Sequence, residues 1–297
     1  MAAILQRAAG VLNVGYLETG APGAAPVVLL HGFPYDVHAY DEVAPMLAAG
    51  GCRVIVPYLR GYGPTRFLSP QTPRSGQQAA LGFDLLALID ALALDRPVVA
   101  GYDWGGRAAC VVAALWPERV RGLVSGGNDG YNIQDIAASD QPQAPEYELR
   151  YWYQFYFHSE RGRNGLARNR HALGRLLWKL WSPQWRFDDA TYDRTAAAFD
   201  NPDFVDVVIH SYRHRYALVP GDPALEDIER RLAAQPPIAV PTIALHGAAN
   251  GVLPEQAPPP RTQRFTARYL RQVMPDIGHN VPQEAPQQFA RAVLSLL

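Results

Sequence analysis

Short apolar runs recur along the first part of the chain with helical patterns between them: PVVLLHG (26–32), RVIVPY (53–58), PVVAGYD (97–103) and VRGLVSG (120–126). Runs this apolar, without polar alternation, fit strands buried on both faces, and such strands belong to parallel sheets covered by helices. Between them, residues 78–94 carry Leu81, Leu85, Leu86, Leu88, Ile89 and Leu92 near helical spacing, a face suited to packing on that sheet. The pattern changes over 129–234, where no buried strand is evident. That stretch holds an aromatic block, YWYQFYFH (151–158), and a helix-like HALGRLLWKLW (171–181). Strand patterning returns in PTIALHG (241–247) and ARYLRQVMP (267–275), and a last helix follows from Pro282. The expectation is an α/β chain with a mostly parallel central sheet flanked by helices. Its core comprises residues 1–128 and 236–297, interrupted by a helical cap domain over 129–235.

A chain of 297 residues, 48% of them hydrophobic and 19% charged, can bury a sizeable core. Its formal net charge of -1 gives no reason to expect nucleic acid or an anionic membrane as a partner. No run of about 18 apolar residues occurs and the amino terminus lacks a leader pattern, so a cytoplasmic protein is expected. Cys52 and Cys110 are too few for a disulfide framework or a zinc site and read as small buried hydrophobes. No metal or cofactor is expected. The basic stretch Arg161, Arg163, Arg168, Arg170, Arg175 and Lys179 reads as a solvated helix surface, and the proline cluster QAPPPR (256–261) as a loop.

Run 97–103 ends in Gly101-Tyr102-Asp103-Trp104-Gly105 and passes into the helical RAACVVAALW (107–116). Glycines relieve crowding in a sharp strand-to-helix turn, so the middle side chain of such a turn projects above the sheet as a nucleophile. Here that group is a carboxylate. It needs no base to activate it, yet it is a weak nucleophile, useful against carbon bearing a strained or good leaving group. Attack would leave an alkyl ester on Asp103. An aspartate that merely caps the following helix is the plainer alternative.

Three further motifs accompany this turn in order: His31-Gly32-Phe33-Pro34, Arg60-Gly61-Tyr62-Gly63 and Gly278-His279-Asn280. With them the chain resembles, over nearly its whole length, the α/β-hydrolases with an aspartate nucleophile: epoxide hydrolases above all, then haloalkane and haloacetate dehalogenases. The resemblance implies the α/β-hydrolase fold, Asp103 as nucleophile, and His279 as the base that activates water against the ester. It implies an oxyanion hole from the backbone N–H groups of Phe33 and Trp104. Tyr153-Gln154-Phe155-Tyr156-Phe157 resembles the segment carrying one cap tyrosine of epoxide hydrolases, and His210-Ser211-Tyr212-Arg213 the segment carrying the other. Tyr153 and Tyr212 are thereby the candidate proton donors to an opening epoxide, against the reading that they simply pack the cap. His31, Pro34, Trp152, Tyr156 and Arg107 are candidates for binding substrate, expected to be a small apolar or aryl-bearing molecule. A homodimer stays open.

Halide chemistry competes. The Trp104 indole N–H fits a halide donor, but Phe33 stands where haloalkane dehalogenases place a second, polar donor. Of the arginine pair with which haloacetate dehalogenases bind carboxylate, only Arg107 is kept. The family also places an acid after the strand PTIALHG, where this chain reads Gly247-Ala248-Ala249-Asn250. Asn250 could hold the imidazole tautomer, but an amide cannot stabilise imidazolium; the equivalent swap in a serine protease costs about 10⁴ in rate. Asp129 is near an alternative acid position, with a surface-turn aspartate as the plainer reading. Three functions remain open: epoxide hydrolysis, dehalogenation, and a protein without turnover that binds a ligand or guides a rearrangement.

Overall fold

A computed structural model describes residues 3–252 and 261–297. The proline cluster, apart from Arg261, lies outside the described residues. Nine strands form one sheet: β1 (Leu5–Ala9), β2 (Leu12–Thr19), β3 (Ala25–Leu30), β4 (Cys52–Pro57), β5 (Arg66–Phe67), β6 (Val98–Gly101), β7 (Gly122–Gly126), β8 (Thr242–Gly247) and β9 (Tyr269–Met274). Their order is β1-β2-β4-β3-β6-β7-β8-β9, with β5 on β2. The pairings of β2 are antiparallel and those from β4 through β9 parallel. β6, β7 and β8 are buried along their whole length, which explains their largely apolar sequences without polar alternation.

The helices are α1 (Val43–Ala49), α2 (Gln78–Ala91), α3 (Asp103–Leu115), α4 (Pro145–Arg150), α5 (Trp152–His158), α6 (Glu160–Trp181), α7 (Asp189–Ala196), α8 (Phe204–His214), α9 (Glu226–Ala233), α10 (Val281–Glu284) and α11 (Pro286–Leu294). On the sheet, α1 packs against α11 and α2 against α3. The segment between β7 and β8 is helical throughout its regular structure, and α5, α6 and α8 pack on one another. It is tied down over the sheet's edge by the Trp178 indole N–H on the Pro34 carbonyl (2.8 Å), the Thr195 hydroxyl on Asp36 (2.8 Å) and the Asn201 amide on the Thr65 carbonyl (2.7 Å).

The position of a site follows from the strand order. β3 has β4 on one side and β6 on the other, with Leu30 in register with Gly101. The turns leaving β3 and β6 therefore emerge side by side at the carboxyl edge, the place where open α/β sheets form a crevice.

The hairpin β1–β2 has no clear signature in the sequence, since the side chains of β1 are largely exposed and pattern as a polar loop would. Cys52 and Cys110 are free and buried. The basic stretch lies on α6, where Arg163, Arg170 and Arg175 pair with Asp206, Asp200 and Asp189. Among the described residues no helix is long and apolar enough to cross a membrane.

Candidate active site

Asp103 opens α3 directly after β6 in the left-handed region, at φ +51°. Such a backbone costs an ordinary residue about 1 kcal/mol, and glycines make room for the turn that contains it. A Cβ on Gly105 would lie 2.0 Å from the Leu30 carbonyl oxygen, so only glycine lets α3 start this close to β3. The turn raises the carboxylate toward the loop after β3. There Oδ1 accepts the backbone N–H of Phe33 at 2.9 Å and that of Trp104 at 2.7 Å. These are the two donors expected of an oxyanion hole, and in the resting structure the carboxylate occupies them itself. Oδ2 is left toward His279, whose Nε2 is 3.6 Å away, within charge-pair reach and just beyond a hydrogen bond. Burial pushes the Asp103 carboxyl up, but His279, the Arg107 charge and the Phe33 N–H outweigh it, so the group sits below the usual carboxylate range. It is an anion at neutral pH, with one oxygen available.

His279 sits on the loop between β9 and α10. Its backbone N–H bonds the Ser182 hydroxyl (3.0 Å) and the Trp181 carbonyl (3.2 Å), and its ring lies 5.0 Å from that of Trp181. The Ser182 hydroxyl in turn donates to Glu284 (2.6 Å), which also accepts the Gly278 N–H (2.7 Å). Ser182 and Trp181 come from the end of α6, so the insertion itself holds the histidine loop. Nothing in the local sequence marks them. Behind the ring, the Asn250 amide nitrogen is 3.2 Å from Nδ1.

Asp129 does not take the acid's place. It is buried rather than at the surface, and its carboxylate is gripped by the Arg261 side chain and backbone (2.8 and 2.9 Å) and the Tyr131 N–H (2.9 Å). Burial pushes this carboxyl up, but those bonds more than offset it and hold it low. Its role is to anchor Arg261 and the chain beside it.

A cleft of about 680 Å³ opens above Asp103, and its walls include Arg107, Tyr153, Arg215 and His279. Tyr153 and Tyr212 descend from α5 and α8 with ring centroids 5.4 Å apart, both nearly fully buried. Tyr212 also packs on Phe33 (5.4 Å) and Trp104 (6.0 Å). Burial holds both phenols well above their ordinary range, so they remain neutral O–H donors.

Other substrate-binding candidates are placed elsewhere. His31 is fully buried, its Nε2 accepting the Leu59 N–H (3.1 Å) and its Nδ1 beside the Gly32 carbonyl (3.1 Å), so it braces the turn after β3 from behind. Pro34 meets the insertion through its carbonyl. Trp152 and Tyr156 meet in a tilted ring contact (6.2 Å) and do not line the cleft; Tyr156 is wedged against Gly165. Arg107 does face the cleft. Arg215, absent from any motif in the sequence, joins it there.

Residues 25–286 match the family model described as the alpha/beta hydrolase fold, and the chain belongs to that family. Among solved structures, a protein of Klebsiella pneumoniae provisionally named an epoxide hydrolase is 49% identical, covering 99% of this chain and 96% of its own, with a TM-score of 0.95. Among curated proteins, Epoxide hydrolase 2 of Siraitia grosvenorii is 36% identical over 110 residues, which is 37% of this chain and 34% of that protein. Epoxide hydrolase A of Mycobacterium tuberculosis is 28% identical over 141 residues, covering 48% and 42%. The chain thus spans about a third to two-fifths of the length of these curated relatives.

Proposed function

We propose that this protein hydrolyses epoxides to vicinal diols through an ester on Asp103. Oδ2 attacks one epoxide carbon, forming the ester C–O bond as the ring C–O bond breaks. The departing alkoxide takes a proton from one of the paired phenols, Tyr153 or Tyr212, and a hydrogen bond from the other. Water then adds to the ester carbonyl while His279 takes its proton. Charge develops on Oδ1, already seated on the Phe33 and Trp104 N–H groups. Collapse breaks the ester C–O bond, and the leaving diol oxygen takes the hydroxyl proton of the resulting acid and so restores the carboxylate. His279 returns its proton to the phenolate.

One observation carries this reading: a carboxylate with one oxygen bound by two backbone donors shares its cleft with a lid phenol whose ring packs on a second one. An alkoxide is a very poor leaving group unless such donors meet it, whereas a halide needs none of them. The names of the relatives support the same chemistry. A second reading, dehalogenation, is favoured by the Trp104 indole N–H, which is buried and without a hydrogen-bond partner among the described residues.

Intact-mass measurement after incubation with a panel of epoxides and haloalkanes tests this. The expected result is an adduct equal in mass to the epoxide, absent in Asp103→Asn. An adduct that has lost its halogen, with halide released, would favour dehalogenation. No adduct and no diol across the panel would overturn the proposal.

A further inference from the structure

Arg60 shows how a buried arginine can be completed in this protein. Arg60, 2% exposed, grips Asp84 side-on through Nε and Nη2 at 2.6 and 2.7 Å and donates Nη1 to the Ser75 carbonyl at 2.6 Å. Buried Arg107 and half-buried Arg215 are not completed in this way. Arg107 is 9% exposed, and its Nε and Nη1 are buried with no hydrogen-bond partner among the described residues. In Arg215 the Nε and Nη2 atoms, the same side-on fork that Arg60 uses on Asp84, are likewise buried and unpartnered. Its remaining contacts are a long 3.4 Å bond from Nη1 to Gln154 and a stack over the Tyr212 ring at 4.3 Å. Neither guanidinium has a carboxylate within 4.0 Å among the described residues.

Both groups line the Asp103 cleft, and burial together with the nearby Arg215 charge brings Arg107 down to about 10. Two desolvated like charges facing one space are unfavourable unless an anion completes them. Asp103 does not fill that part, because Oδ1 is held by Phe33 and Trp104 and Oδ2 is turned to His279. The acidic side chains of the cleft, Asp135, Asp140 and Glu148, belong to the segment 135–148; the two aspartates are exposed there, and Glu148 already accepts the Gln143 N–H.

We propose that Arg107 and Arg215 form an anion subsite and that the substrate carries a carboxylate a few bonds from its epoxide. The placement is suited to the task. Arg107 lies one helical turn after Asp103 on α3, and Arg215 closes α8 three residues after Tyr212. A carboxylate held between them is referenced at once to the nucleophile and to a proton donor, the positioning that a planar fork provides. The apolar or aryl-bearing substrate then also carries an anionic end. The epoxide part of this proposal rests on Asp103 acting as nucleophile; the anion subsite does not.

Two measurements separate those dependencies. The first is calorimetric binding of 3-phenylpropanoate and its isosteric amide to the full chain. The carboxylate should bind about 10-fold or more tightly than the amide. Arg215→Gln should remove that preference and Arg215→Lys should retain part of it; Arg215 is half-buried, so neither variant opens the core. The second is kcat/KM for 3-phenylglycidate against its methyl ester, where the ratio should exceed about 10 and approach 1 in Arg215→Gln. Equal binding of acid and amide, binding of neither, or a preference that Arg215→Gln leaves intact would overturn the subsite. Turnover of neutral epoxides without preference for the acid would overturn it while upholding the proposed reaction. Carboxylate binding without any turnover would uphold the subsite and remove the reaction.

Discussion

The amide nitrogen of Asn250 stands 3.2 Å from Nδ1 of His279, while the amide oxygen accepts the Val252 N–H at 2.9 Å. The second bond settles which end of the carboxamide is which. Its NH₂ faces the ring, so Nδ1 presents a lone pair and the ring proton sits on Nε2, toward Asp103. A carboxylate at this position would do the reverse, holding the proton on Nδ1 and freeing Nε2 as a base.

Ester hydrolysis should therefore lag behind ester formation. During turnover of an epoxide, intact mass should show a standing adduct on Asp103. Asn250→Asp should speed decay of that adduct by 10-fold or more, within the roughly 10⁴ that the tautomer is worth in a serine protease. Single-turnover quench experiments measure the decay directly, and an unchanged rate would remove Asn250 from the explanation.

Removing either lid phenol should slow opening of the epoxide ring. Tyr153→Phe and Tyr212→Phe are each expected to reduce the rate of adduct formation by about 10²-fold. Stopped-flow formation rates with epoxides, compared with a haloalkane of similar shape, give the contrast. Equal effects on both substrates would mean that the tyrosines only pack the lid.

Gly32 is a close neighbour of Asp103 that a small substitution can probe. A Cβ there would lie 2.5 Å from the Asp103 Cβ and 2.6 Å from its Oδ1. Gly32→Ala should push the carboxylate off the Phe33 and Trp104 N–H groups and cost about 10² in adduct formation. Gly23→Ala, where a Cβ meets nothing within 4 Å, is the control and should behave as the parent chain. A Gly32→Ala protein with parental rates would show that the turn yields without cost.

Asp36 should make stability depend on pH. It is 1% exposed and accepts the Thr195 hydroxyl and the His38 N–H, and burial raises its carboxyl to about 7 from an unfolded value of 3.8. Below 3.8 both states are protonated; between 3.8 and about 7 only the folded state holds the proton, so stability falls as pH rises through that window. Asp36→Asn does not titrate. Its stability relative to the parent should improve by about 1.4 kcal/mol per pH unit as pH rises from 5 to 7. Denaturant titrations at three pH values across that window measure the difference, in which titrating groups away from Asp36 cancel. His38, whose imidazole lies 4.0 Å from Asp36, is held constant by making the comparison in a His38→Gln background, and a constant difference would contradict the shift.

The parts of this protein that could be read in advance are local. The strands β3, β4, β6, β7 and β8 betray themselves because burial on both faces leaves few polar positions. The turn around Asp103 does so because its glycines answer to steric contacts within a few residues. What could not be read depends on partners far along the chain. Asp129 patterns locally as a turn residue, but Arg261, 132 positions away, holds it. Ser182 steadies His279 from 97 positions upstream. Trp152 and Tyr156 differ from Tyr153 only in which side of α5 they occupy, and the packing of α6 and α8 decides that side.

The amino-acid sequence by itself determined a parallel sheet, a carboxylate on a strained strand-to-helix turn and a histidine after the last strand, since short-range sterics and hydrophobic patterning dictate each. Only the tertiary structure decided which way the Asn250 amide points and that two arginines in the cleft keep buried N–H groups without a partner among the described residues. Hydrogen-bond direction and desolvation arise from the whole surrounding set of atoms, and no stretch of chain carries that set within itself.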